Sequence, residues 1–151
     1  MEDDHMQIVC FEVCGQLFGV DVAWVNDVHK LDRLTPVPKA PQIVAGVLNL
    51  RGRIVLALNL GQFLRCASAE KSANLMINVQ FLNESYGFLV DSVSDVVSLT
   101  SAQLQPCPQN FDPKLAGFAQ GTVRFKGRLM TILKVDGMIE SMLSHDLLHC
   151  A

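Results

Sequence analysis

Two stretches of this chain carry the same pattern at a fixed separation, and that repetition restricts the fold more than any single motif does. Placing QIVCFEVCGQLFGVDVAWVNDVHKL (Gln7 to Leu31) over LMINVQFLNESYGFLVDSVSDVVSL (Leu75 to Leu99) sets Phe18-Gly19 on Tyr86-Gly87, 68 residues apart. At the same offset Val25, Asp27 and Val28 meet Val93, Asp95 and Val96, and Val9, Phe11 and Val13 meet Ile77, Val79 and Phe81. The match continues in order with small insertions. Pro36-Val37-Pro38 answers Pro106-Cys107-Pro108, Ala45-Gly46 answers Ala116-Gly117, and Gly52-Arg53-Ile54 answers Gly127-Arg128-Leu129. Self-similarity of this kind marks a duplicated unit. It divides the single domain into two similar halves, about 7–65 and 74–136, with a tail after them.

Each half reads as β-structure. The first segment alternates apolar and polar residues and then meets a turn signal, Cys14-Gly15-Gln16 in one half and Asn83-Glu84-Ser85 in the other. A second strand follows at Leu17–Val20 or Tyr86–Val90, and a third through Val25–His29 or Val93–Leu99. The proline-punctuated stretches TPVPKAP and QPCPQNFDP cannot lie inside a ladder, because proline lacks the donor. Each half ends in a hairpin, Ile43–Leu50 with Ile54–Leu60 and Ala116–Phe125 with Arg128–Val135. Five short strands per half predict an all-β molecule of two small closed barrels, one to each half. Gly19, Gly52, Gly87 and Gly127 are read as structural turn positions. Leu58–Arg65 is read as a short helix. Met138, Ile139, Met142, Leu143 and Leu147 recur near helical spacing and predict a C-terminal helix over about 137–149 that docks on a barrel.

Composition narrows the function. Half of the 151 residues are hydrophobic, 18% are charged and the mean hydropathy is +0.28, which argues against disorder and points either to a very complete core or to apolar surface left over for a partner. A net charge of −3 with scattered Lys and Arg gives no footprint for nucleic acid. MEDDHMQ at the start has no apolar segment of the signal-peptide kind, and no apolar run is long enough to span a bilayer. A cytoplasmic location is expected. Five cysteines without a C-x-x-C pair read as reduced, small apolar residues.

Phosphate-binding, zinc-protease and nucleophile-elbow motifs are all missing, so neither a catalytic set nor a cofactor is expected. His145 and His149 stand four apart beside Cys150, but no further ligand completes a metal site, and a terminal helix is the plainer reading. A small enzyme using Cys107 or His29 would need a base and an orienting group that the sequence does not supply. Asp95 reads as a strand-edge charge that discourages sheet pairing. The stretch GVLNLRGRIVLALNL sets Asn49, Arg51, Gly52 and Arg53 between two apolar strands. Arg53 and Arg128 occupy equivalent places and read as structural or solvated. Arg51 stands beside the turn, where its fork of donors can reach a carboxylate inside the protein or on a partner.

IVAGVLNLRGRIVLALNL, preceded by TPVPKAP and followed by GFLVDSVSDVVSL, resembles the CheW family of chemotaxis coupling proteins over about residues 7–143. The resemblance implies two five-stranded SH3-like barrels around a common core and a non-enzymatic adaptor. It implies partners too: the cytoplasmic tip of a chemoreceptor and the regulatory domain of the histidine kinase CheA; separately, an apolar barrel end leaves room for weak self-association. Carried over by position, Arg51 and Asp27 match the family's coupling arginine and its acidic residue, here one methylene shorter. Val25, Val28 and Leu75 match apolar positions around a groove between the barrels, where a helical hairpin would lie. Asn49 completes the candidate set. Leu56, Asn59, Gly61 and Lys134 depart from the pattern, and they open the alternative of a regulator that binds the kinase or a localisation protein without receptors.

Overall fold

Ten strands make up most of the described residues, which in this computed structural model are 5–13, 15–30, 33–39, 43–60, 75–106 and 117–141. In chain order they are β1 (His5–Val13), β2 (Gln16–Asp21), β3 (Val25–Lys30), β4 (Val44–Leu50), β5 (Arg53–Asn59), β6 (Leu75–Phe81), β7 (Glu84–Val90), β8 (Ser92–Thr100), β9 (Ala119–Phe125) and β10 (Arg128–Leu133). Three hairpins turn on two residues of positive φ: Arg51-Gly52 (55° and 83°), Leu82-Asn83 (52° and 67°) and Lys126-Gly127 (53° and 79°). Paired left-handed residues match the twist of the strands they join.

The strands form two five-stranded sheets, ordered β8-β1-β2-β10-β9 (barrel A) and β3-β6-β7-β5-β4 (barrel B). An isolated bridge ties the edges of each together. Thr35, beyond β3, exchanges backbone bonds of 2.8 and 2.9 Å with Val47 of β4; Gln105, beyond β8, exchanges two of 2.8 Å with Thr122 of β9. Two five-stranded barrels are thus as expected, but the assignment of one barrel to each half is not. Barrel A takes β1 and β2 from the first half and β8, β9 and β10 from the second; barrel B takes the reverse. The cause is a change of direction after β2 and after β7. Asp21 caps a one-turn 3-10 helix over Val22–Trp24, accepting from Ala23 N at 2.9 Å, and the chain leaves barrel A there for β6 of barrel B. Asp91 marks the equivalent bend, from β7 to β1. Because β3 and β8 are repeat-equivalent, their patterns fit either barrel, and self-similarity alone cannot choose between the two.

Apolar residues collect in three places. Ile8, Cys10, Leu17, Leu99, Val123, Met130 and Ile132 fill barrel A. Val55, Ala57, Met76 and Leu89 fill barrel B. Between the barrels lies the largest cluster, built on Phe11, Phe18, Leu58, Ile77, Phe88 and Leu133. Both faces of β1 and β6 are therefore buried, so these central strands carry near-continuous apolar runs rather than a clean alternation. Residues 135–141 are helical, and Val135, Met138 and Ile139 add fully buried side chains to the central cluster. The helix begins two residues earlier than the spacing indicated and removes Val135 from the last strand. Beyond residue 141 the expected helix lies outside the described residues. Leu58 and Asn59, read as the start of a short helix, belong to β5; helix begins only at Leu60, and the residues after it are not described.

Two of the four glycines read as turns are not at turns. Gly19 lies within β2 and Gly87 within β7, each opposite a buried strand. A Cβ on Gly19 would strike Ile8, and one on Gly87 would strike Met76. Their role is close approach inside a narrow barrel. Gly46 corrects the repeat alignment instead. Its structural counterpart is Gly121 and not Gly117: a Cβ on either would meet the bridging carbonyl, Thr35 O at 2.7 Å or Gln105 O at 2.8 Å.

Candidate functional site

Strand β3 divides the expected site residues between two surfaces. A register shift lies between Val25 and Asp27, so Val25 pairs with Val79, Asp27 with Asn78, Val28 with Ile77 and Lys30 with Leu75. Residues directly opposite share a face. Val79 and Ile77 belong to the cluster between the barrels, and Val25 and Leu75 pack partly buried against it. Val25, Val28 and Leu75 therefore lie along one inter-barrel face, with Val28 40% exposed at its middle. Repeat-equivalent Val96, on β8 opposite Val9, is 56% exposed along the other side of the same cluster.

Asp27 turns the other way, toward the end of barrel B. There Arg51 Nη1 stands 3.6 Å from Asp27 Oδ2, and His29 Nε2 stands 2.8 Å from Asp27 Oδ1. The histidine contact is a close approach without hydrogen-bond alignment, since neither Oδ1 nor Nε2 has a bonded partner among the described residues. Arg51 is not one residue before the turn but within it, at φ 55°, and its side chain is 78% exposed. Asn49 bears on the turn itself. Its Oδ1 accepts from Gly52 N at 3.0 Å and so holds the left-handed turn that aims Arg51. Barrel A repeats the pair in weaker form, Lys126 Nζ 3.8 Å from Asp95 Oδ2. Asp95 is therefore paired across the barrel end as well as lying on a strand edge.

The repeat also shows what differs between the barrel ends. Arg128, counterpart of Arg53, donates to Glu12 Oε2 at 2.6 Å and to Gly15 O at 3.1 Å. In barrel B neutral Gln80 takes the place of Glu12. Arg53 instead borders a cavity of about 320 Å³ lined by Asn26, Asp27, Leu50, Arg51, Val55, Asn78, Gln80 and Ser85. The cavity has a packing cause. Barrel A places Phe125, Met130, Ile132 and Leu17 where barrel B places Leu50, Val55, Ala57 and Ser85. Smaller and more polar side chains leave barrel B's end unfilled. Asn78, the counterpart of Cys10, is 6% exposed, and its Oδ1 has no donor among the described residues. Asn78, Gln80 and Ser85 escaped the sequence reading. The signal was present in the repeat: polar Asn78 and Ser85 stand opposite apolar Cys10 and Leu17, and neutral Gln80 opposite Glu12.

Cys10 is a buried free thiol whose pKa is raised, first by burial and then by the nearby Asp95 carboxylate. Tyr86 is raised for the same leading reason. Among the described residues no group of three His, Cys, Asp or Glu is placed to hold a metal ion, and no helix is long and apolar enough to cross a membrane. Cys107, His145, His149 and Cys150 lie outside the described residues.

The CheW-like domain family model matches residues 7–142. A chemotaxis protein CheW of Thermotoga maritima is 34% identical over 138 residues, covering 91% of this chain and 90% of that relative. One from Rhizobium meliloti is 29% identical, covering 89% and 88%. Among solved structures, the scaffolding protein TtCheW from Thermoanaerobacter tengcongensis superposes with a TM-score of 0.79 at 26% identity, covering 88% of this chain and 86% of that one. Duplicated barrels, the turn that carries Arg51 and these relatives agree, and the chain belongs to the CheW family of chemotaxis scaffold proteins.

Proposed function

We propose that this protein couples the cytoplasmic tip of a chemoreceptor to the regulatory domain of the histidine kinase CheA, at the inner face of the membrane and without chemistry of its own. The observation that carries the reading is the division of surfaces along β3. One face presents apolar Val25, Val28 and Leu75 beside the cluster between the barrels; the other presents the Asp27–Arg51 pair at the end of barrel B. A helical hairpin suits the first, since apolar burial along a groove supplies affinity. A folded domain suits the second, where exposed charges set register and on-rate.

Separate surfaces predict separable defects. Val28→Asp should weaken binding of a receptor-tip fragment about tenfold or more and leave the CheA regulatory domain bound as before. Arg51→Gly should do the opposite. Isothermal calorimetry with each partner checks both, and loss of both affinities in either variant would mean one shared surface. Binding of wild-type protein to the kinase domain alone would make it a regulator that acts without receptors.

A further inference from the structure

We propose that the cavity at the end of barrel B is a socket for one side chain of a docked protein partner, and that this side chain is a primary carboxamide, an asparagine or glutamine. The inference rests on the barrel end being a docking face and names the chemistry that it selects.

Three observations converge on it. The first is a pair of acceptors with no aligned donor among the described residues, the nearest being His29 Nε2 at 2.8 Å from Asp27 Oδ1. Asn78 Oδ1 and Asp27 Oδ1 are both buried without a hydrogen-bond partner, and the two residues sit directly opposite each other in the β3–β6 ladder. Both residues line the cavity. Leaving such atoms unmatched is costly, and a donor arriving from outside recovers that cost. Both side chains end in a soft torsion, so a small rotation presents either oxygen to the cavity.

The second is the sign of the rim. Arg51 and Arg53 flank the opening, and no carboxylate stands where Glu12 neutralises the equivalent Arg128 in barrel A. An ammonium or guanidinium entering here passes two cations, Arg51 and Arg53, and reaches one carboxylate, Asp27, that Arg51 already faces at 3.6 Å. A carboxylate passes the rim but sets its oxygens against two buried acceptors. A carboxamide avoids both conflicts. Its NH₂ donates to Asn78 and Asp27, and its carbonyl accepts from a rim guanidinium.

The third points to a protein as the source. Leu82, in the β6–β7 turn, and Ile54, beside the β4–β5 turn, are 76% and 62% exposed on the strands and turns that frame the cavity. Leu82 also holds φ 52°, a conformation unfavourable for a bulky side chain. Exposed apolar residues on the turns beside a small polar pocket offer area that a protein partner, and not a lone small molecule, would cover.

The test uses the full chain, labelled with ¹⁵N and titrated with three capped single residues: the N-acetyl methylamides of glutamine, glutamate and lysine. The glutamine probe should shift the backbone amides of Asn78, Ser85 and Leu50. Glutamate and lysine should bind at least about tenfold more weakly, the order expected for one lost hydrogen bond to a buried group. Asn78→Val should abolish the glutamine response, and its own spectrum reports whether the barrel still folds. Arg53→Gln leaves the floor intact and should raise the lysine response while glutamine still binds. Equal shifts from all three probes, or an unchanged glutamine response in a folded Asn78→Val, would overturn the proposal. Tighter binding of free glutamine than of its capped form would overturn the protein source in favour of a small zwitterion. The probes involve neither receptor nor kinase, so a failed adaptor assay and a failed socket are told apart.

Discussion

Arg51 combines a conformational cost with the recognition role proposed for it, and one substitution separates them. In a two-residue left-handed turn glycine is the unstrained choice, so Arg51→Gly should leave stability unchanged or raise it by up to about 1 kcal/mol while removing the guanidinium. Thermal melts set beside the kinase titration check this, and a large loss of stability would show that the Asp27 contact holds the turn. Gly19 and Gly87 give a second contrast. Gly19→Ala meets the branched Ile8 near its backbone, whereas Gly87→Ala meets the flexible thioether of Met76. Overpacking costs about 1–3 kcal/mol, and denaturant melts should show Gly19→Ala to be the costlier change. At this scale the sequence was legible where chemistry and repeat agreed, as for Arg51 beside a carboxylate. It was misleading for Gly19 and Gly87, because a glycine needed for close approach looks the same in a string of letters as one needed for a turn.

Strands were the most legible elements, since turn residues and alternation bound nearly all of them. The segments between strand and helix were the least. Leu58 follows a helix-compatible spacing yet stays in β5, where its parallel pairing with Phe88 of β7 buries it completely; tertiary packing outweighs local periodicity. Val135 shows the reverse, an apolar residue after a strand that opens a helix because Met138, Ile139 and it share one buried face. That helix starts poorly. Lys134 occupies the capping position, with Met138 N donating to its carbonyl at 3.0 Å, and puts a cation against the positive end of the helix dipole. Asp136 in the first turn offsets part of this. Lys134→Asp should therefore raise stability by about 1 kcal/mol, seen as a higher melting temperature. No rise would show that the lysine's own contacts matter more than the cap.

For the whole molecule, two barrels were legible and their boundaries were not, because the halves exchange strands. Neither half can close a barrel by itself: β1 and β2 need β8 and β10, and β6 and β7 need β3 and β5. Residues 1–65 and 66–151 made as separate chains should lack a folded monomer's dispersed amide spectrum and should recover it on mixing. A folded monomeric half would contradict the exchange. Strand exchange also fixes how the molecule carries load. In two beads on a linker, partners tugging at opposite beads would merely straighten the linker. Here the chain crosses from barrel to barrel twice, after β2 and after β7, and each crossing is anchored at both ends in hydrogen-bonded ladders. Pulling the barrels apart means shearing those ladders, so the two ends behave as clasped hooks, and a shift imposed on one is delivered to the other with little lost in bending.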